Sequence, residues 1–317
     1  MRTVGVTETG ERLAPTRRAV ALIVGELCLD VHVTLPLAGD SLAPLLKGGD
    51  VSAQGDITVL PGGTAWLFAD ALAASSGILP VITATVGGDW AGELLSSSLR
   101  DRGFPGDGVI RAVGDHTDVV AAANFNGRGR LMVWPEDKLS HRVRAWQWRR
   151  IAGLVASRDV RFAWVSGYLL EDRDPWVIKA VQELFVNLRQ RDIAVVLDLV
   201  PHNFAARIGD LHWLEREAGP IDVVVGEFAT LVDLGFGQRP APGEDVRSAL
   251  MSCAQSAASG RAGAVAQHRT GDDMYLEAVV GQAAGERIIS RPVPASGPHG
   301  IGDVLAVQAL KALGLVS

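Results

Sequence analysis

The chain has 317 residues, 48% of them hydrophobic and 21% charged, with a formal net charge of -6 and two cysteines. That length suits one large domain, since single cores stop growing at about 250 to 300 residues, and the composition excludes a disordered chain. The acidic balance argues against a nucleic-acid backbone or an anionic membrane as partner, and Cys28 and Cys253 lack the spacing of a disulfide scaffold or a zinc site.

Residues 1–18 carry Arg2, Arg12, Arg17 and Arg18 but no apolar run of signal-peptide length, which predicts a flexible polar arm ahead of one domain over 19–317. With no apolar span of 18 residues and no secretion signal, a reducing cytoplasm is the expected location. "AVALIVGELCLDV" (19–31) reads as a buried strand, with Asp30 near its end by alternation. Residues 31–61 then break the pattern with strand and hairpin signals. In "VLPGGTAWLFADALA" (59–73), Pro61, Gly62 and Gly63 close a strand and open an apolar helix, so the backbone there can approach a ligand.

"PVITATVGG" (80–88) predicts a strand, and the segment from Asp89 to Gly103 a helix. A second interruption over 118–135 has Asn126-Gly127 as its turn signal. Together with 31–61 it predicts a small sheet that serves as a lid. "HRVRAWQWRR" (141–150) reads as a solvated helix with Trp146 and Trp148 on the core, in preference to a nucleic-acid surface. Further strands are expected over 161–167, 193–201, 221–226 and 262–268, and further helices over 174–191 and 244–260. Strand and helix alternate throughout, which predicts an α/β fold with a doubly wound, mainly parallel sheet flanked by helices.

The last motif is "GPHGIGDVLAVQAL" (297–310). Gly300, Ile301 and Gly302 form a turn whose amides, with the amino end of the following helix, suit an anion such as a phosphoryl group. Asp303 has two readings: a helix N-cap, or a general base that takes a hydroxyl proton while the turn neutralises the transferred group. The seven histidines lack metal-ligand spacing, and neither a Walker-type loop nor a Gly-x-Gly-x-x-Gly element is present.

In order and wording these motifs resemble the PfkB or ribokinase-like family of carbohydrate and nucleoside kinases, from about Ala19 to Gly314. "GELCLD" looks like the family's first strand, with a sugar-contacting acid at Asp30, and Gly62-Gly63 resembles its first signature. "TVGGDWAGELLSSSLRDRGF" is similar to the Gly-x-Asp-x-x-Gly segment, and "GIGD" matches the second signature with Ile301 in place of Ala. The resemblance implies a ribokinase-like fold with a β lid and transfer of the γ-phosphoryl group of ATP, with Mg²⁺, to a hydroxyl of a sugar, cyclitol or nucleoside. It makes Asp303 the catalytic base, makes Gly300, Ile301 and Gly302 the anion hole, and gives Asp30, Gly62 and Gly63 to the substrate. It also implies a homodimer formed through the lid.

The sequence departs from the family on the nucleotide and metal side. Gly297-Pro298-His299 replaces an Asp-Thr-Thr run, and the Asn-x-x-Glu motif falls on Glu227 and Thr230, leaving Glu227 as the metal-side candidate. Gly271 alone survives of a nucleotide-side Thr-x-Gly-x-x-Gly segment, and Leu67, preceded by Trp66, stands where many sugar kinases carry Asn, pointing to a less polar site. Family members continue with helices that wall the adenine pocket, whereas Ser317 lies about four turns beyond Asp303. These losses leave a second class open: a catalytically impaired ligand-binding or regulatory module on the same fold.

Overall fold

The computed structural model describes residues 19–35, 52, 54–125, 129–135, 139, 145–170, 175–199, 211–241, 244–270, 274–292 and 300–316. The arm over 1–18 and the Asn126-Gly127 turn lie outside the described residues, as do the side chains of Trp146 and Trp148.

The apolar run 19–31 is two strands. Val20–Val24 (β1) belongs to a large sheet, whereas Cys28–Leu35 (β2) belongs to a separate small one. The chain turns out of the first ladder at Glu26, whose carbonyl accepts from the Ala65 amide at 3.2 Å, in the first turn of a helix. Continuous hydrophobicity hid this change of sheet, since burial is unbroken from Val20 through Asp30, across the end of one strand and the start of the next.

Six further strands complete the parallel part of the large sheet or extend it: Leu79–Gly87 (β4), Val109–Ala112 (β5), Val160–Ser166 (β8), Ala194–Asp198 (β9), Val223–Glu227 (β10) and Gly263–Thr270 (β11). All pair in parallel about β1, with β4 on one side of it and β8 on the other. An antiparallel hairpin, Met274–Gly281 (β12) and Gly285–Pro292 (β13), closes one edge beside β11 and was not evident from sequence. The small sheet has the order β3-β2-β6-β7, built from Asp56–Gly62 (β3), Val119–Phe125 (β6) and Gly129–Val133 (β7) around β2. The two interruptions of the chain therefore do meet in one lid-like sheet.

Alternation along the strands feeds two cores. Leu22, Val24, Ala163 and Val165 face helices Ala145–Ser157 (α3), Pro175–Arg189 (α4), Leu211–Ala218 (α5), Phe228–Asp233 (α6) and Val246–Ala258 (α7). Ala21, Ile23, Phe162 and Trp164 face Thr64–Ser75 (α1), Trp90–Asp101 (α2) and Ile301–Ala312 (α8). Phe68 of α1 stacks on Trp164 with ring centroids 3.8 Å apart. Burying each of the larger side chains, such as Leu22 or Phe162, stabilises the fold by about 1.5 to 3 kcal/mol.

Asp89 shows how the Gly-x-Asp-x-x-Gly segment holds its shape. Asp89 Oδ1 accepts from the Gly92 amide at 3.0 Å and the Thr117 hydroxyl at 2.6 Å, and Oδ2 from the Thr117 amide at 3.0 Å. Desolvation pushes its pKa up, but the bonds from Thr117 and Gly92 outweigh that and hold the carboxyl below its ordinary value. The stability it contributes is therefore present above the unfolded carboxylate value and fades as pH falls through the lower folded one. Asp89→Ala is expected to cost about 1 to 3 kcal/mol in urea denaturation at pH 7, with a smaller difference from the native protein at pH 3.

Candidate active site

Parallel strands end together, so residues just past their carboxyl ends share one crevice, at the point where strand order reverses. Here that point is β1, and beside it opens a cavity of about 770 Å³. Glu26, Asp198 and Glu227 reach it from the ends of β1, β9 and β10. The small sheet contributes Asp30, Val120 and Met132 from one face, and Trp134 follows β7 into the wall. The first turns of α1 and α8 close the floor with Thr64, Leu67, Gly300 and Asp303.

On the α1 side, Asp30 pairs with Leu60 of β3 and Val120 of β6 and is buried. Gly62 explains how it fits: a Cβ there would lie 2.2 Å from the Asp30 carboxyl carbon, so any side chain would displace the acid. Gly63 follows as the N-cap of α1, with φ 84°. The Glu26 carboxylate accepts from the Thr64 hydroxyl and, at 3.0 Å, from Ser166 at the end of β8. The buried Cys28 thiol donates to Asp30 at 3.3 Å. Burial first, then the carboxylates of Asp30, Glu26 and Asp118, push that thiol well up, so it stays neutral and serves as a donor. Asp118 in turn accepts from the Leu139 amide at 2.9 Å. Leu67 lines the cavity as expected, but Trp66 does not: it is buried in the core, its ring centroid 5.9 Å from that of Phe104. Consecutive helical residues point about 100° apart, so one of the pair had to turn inward.

On the α8 side, the helix begins at Ile301 and its N-cap is Gly300, with φ 70° and ψ 1°. That left-handed conformation costs glycine little and any other residue more. The N-cap reading of Asp303 is thus overturned: Asp303 is the third helical residue and its carboxyl faces the cavity. Packing around that carboxyl, with Asp198 as a second cause, pushes its pKa well above the ordinary value, although the residue keeps some surface open to the cavity. The amides of Ile301 and Gly302 belong to the first turn, which offers no helical acceptor for them. Gly300 and Gly302 line the cavity, while the Ile301 side chain is buried in the core and anchors the turn.

Glu227 also lines the cavity, and enclosure pushes its carboxyl pKa up even though much of the residue's surface is open to that space. Thr230, where the family motif would carry an acid, is buried in α6 and does not line the cavity. Gly271 and Gly297-Pro298-His299 lie outside the described residues. Among the described residues no three His, Cys, Asp or Glu side chains are grouped to cage a metal.

Several cavity residues escaped the sequence reading: Glu26, Asp118, Asp198 and Gln267, with Glu277 behind them. Asp198 was the most findable, as the last residue of an apolar parallel strand. Glu277, an acid amid "MYLEAVV", carried a signal too, because a charge inside an apolar strand is rarely there for packing.

No protein-family model matches the chain, and no curated protein matches it by sequence. Solved structures do. 2-Dehydro-3-deoxygluconokinase from Thermotoga maritima superposes with a TM-score of 0.67 at 14% identity, over 92% of this chain and 84% of that one. This is the ribokinase fold. Ribokinase from Giardia lamblia shares it at a TM-score of 0.65 and 12% identity, over 91% of this chain and 80% of that one. Adenosine kinase from Sinorhizobium meliloti does so at 0.63 and 17%, over 94% and 87%. In this ribokinase fold the Gly-Gly turn, the lid strand bearing Asp30 and the Gly-Ile-Gly-Asp turn all open on one cavity.

A raised carboxyl pKa means that the folded state binds the proton more tightly than the unfolded chain. That stabilisation is present below the unfolded carboxylate value and is lost as pH rises through the raised one. Asp303→Asn, which has no charge to bury, is therefore expected to melt higher than the native protein at pH 8 and level with it at pH 4 by scanning calorimetry.

Proposed function

We propose that this protein is a phosphotransferase that moves the γ-phosphoryl group of ATP to a hydroxyl of a small polyol: a sugar, a cyclitol or a nucleoside. One observation carries the reading. A carboxyl that resists ionisation stands directly after a Gly-Ile-Gly turn at a helix amino terminus, in a cavity roofed by a small sheet. Proton transfer, charge neutralisation and exclusion of water are the three needs of phosphoryl transfer to an alcohol.

Asp303 takes the hydroxyl proton as the oxygen attacks the phosphorus in line with the departing ADP oxygen, and later releases that proton to water. The amides of the turn receive the phosphoryl oxygens and hold their charge. Asp30 orients the acceptor through its other hydroxyls, with Gly62 keeping the space it needs. Phe228, His268 and Tyr275, which also line the cavity, offer the donor nucleotide a partly aromatic wall. Asp198 and Glu227 fit a hydrated Mg²⁺, because such an ion takes one or two carboxylates beside the phosphates and needs no protein cage. When bound, that ion supplies positive charge to the phosphoryl oxygens.

The position of Thr230 favours a second reading. With no acid there, the fold can serve as a ligand-binding or regulatory module that turns over no ATP. Mass spectrometry for phosphorylated products separates the two, using Mg²⁺-ATP, pooled sugars, cyclitols and nucleosides, and Asp303→Asn as control. The kinase reading expects a product from the native protein and a turnover lower by about 10² to 10⁴ in the variant. The native rate falls as pH drops through the raised Asp303 value, since the base acts only when ionised. Absence of product and of ATP loss in the native protein transfers the assignment to the binding module.

We further propose a cytoplasmic homodimer paired through the outer face of the small sheet. Its inner face bears Asp30, Val120 and Met132, so alternation sends Ile57, Val59, Leu131 and Val133 outward, where they are 70%, 44%, 56% and 55% exposed. Val59 lies opposite Val31 and Ile57 opposite Val33, which makes the patch continuous. A second copy of the same face is a self-complementary cover for it. Light scattering at micromolar concentration is expected to give a dimer for the native protein and a monomer for Leu131→Glu; a native monomer removes the proposal.

A further inference from the structure

The kinase reading gives no task to Glu277, the most deeply buried acid among the described residues. Glu277 lies in the middle of β12, paired with Gln267 of β11 on one side and Ile289 of β13 on the other, and is fully buried. One of its carboxylate oxygens accepts from Gln267 Nε2 at 3.1 Å, while the other has no partner among the described residues. Burial pushes its pKa up to about 7, against the opposing pull of the Gln267 hydrogen bond and the charge of Arg291. A half-satisfied buried carboxyl is a poorer core residue than an apolar one of similar size, so packing does not account for it.

Gln267 connects this acid to the anion turn. The second hydrogen of its amide goes to the Gly302 carbonyl, with Nε2 to oxygen 2.9 Å. Its Oε1 lies 3.4 Å from where a Cβ of Gly302 would stand, so the amide rests against the turn. Since a carbonyl and a carboxylate both accept, only the NH₂ end of the side chain can serve the two at once, which fixes the orientation of the amide. Two of the three turn residues are glycines. Ile301 has a buried side chain to hold it, whereas Gly302 offers only its backbone, and its carbonyl is the handle that Gln267 grips. Donors that stabilise a transferred group act best when they are fixed before the reaction begins.

We infer that Gln267, oriented by Glu277, is a positioning residue that fixes the Gly300–Gly302 turn and through it the aim of Asp303. The catalytic part of this inference rests on the kinase reading; the structural part does not.

Hydrogen-exchange mass spectrometry of the protein without nucleotide or acceptor tests the structural part, at the amides of 304–306, the first to bond within α8. Val304 N–H to the Gly300 carbonyl, at 3.2 Å, is one of these bonds. Gln267→Met keeps the volume and loses the donor, and exchange at 304–306 is expected to quicken about tenfold while the last turn of α8 is unchanged. Turnover of Mg²⁺-ATP with the pooled sugars, cyclitols and nucleosides, read as ADP formed, tests the catalytic part. Gln267→Met and Glu277→Leu are expected to lower kcat about 10- to 100-fold with the KM for ATP within about twofold. Glu277→Gln, which keeps an acceptor oxygen for Gln267, is expected to restore kcat to within about threefold of native. Should Gln267→Met fail to fold, Glu277→Leu carries both measurements.

Unchanged exchange at 304–306 overturns the inference, and so does faster exchange with native kcat in a protein that makes product. If the native protein makes no product, the kinase reading falls by itself and exchange alone decides: quickened exchange upholds the positioning of the turn, and unchanged exchange overturns it.

Discussion

Two opposing influences meet at the Asp303 carboxyl. The amino end of α8 favours a negative charge beside it, while burial and the Asp198 carboxylate disfavour one. The resulting group holds a proton more readily than a carboxyl in water, a property suited to taking one from an alcohol. The same burial makes the ionised state costly to the fold, so the stability of this chain and the chemistry proposed for it depend on pH in opposite directions. Much of the surrounding structure can be understood as containing that conflict: a parallel sheet below, a helix terminus behind, and a small sheet along one side of the cavity.

The small sheet can do this only because the chain changes sheet within three residues. Had Gly25, Glu26 and Leu27 continued the ladder of β1, Asp30 would lie in the large sheet and the cavity would have no roof. The first turn of α1 captures the Glu26 carbonyl, and its side chain is held by hydroxyls from two different elements, Thr64 and Ser166. The point at which strand order reverses is therefore also where the two sheets are joined.

Much of this was legible in the residues. Apolar β-branched runs alternating with three-and-four periodicity specified the parallel sheet, because burial on both faces leaves that imprint. The Gly-Gly and Gly-Ile-Gly-Asp turns announced themselves because close backbone approach and a left-handed cap exclude other residues. Other features left no such trace. The split between β1 and β2 was invisible, since the chain stays buried without a break from Val20 through Asp30. Helical phase at Trp66 and Leu67 could not be told from composition, and Asp303 looked like a cap because the cap itself, Gly300, bears no side chain to mark it. Gln267 and Glu277 meet only through the β11–β12 ladder, a pairing set by a hairpin that periodicity did not reveal.

Helices α1 and α8 lie side by side with both amino ends at the cavity: Leu67 approaches Gly300 in their first turns, and Lys311 donates to the Ser75 carbonyl at their far ends. One helix begins at the turn assigned to the acceptor, the other at the turn assigned to the phosphoryl group. Their placement side by side thus sets the gap between the two turns. Under the proposed function, the register of these two parallel helices joins the side chains lining the pocket in deciding which hydroxyl of a polyol comes within reach, much as a vernier is read from the offset of its two scales.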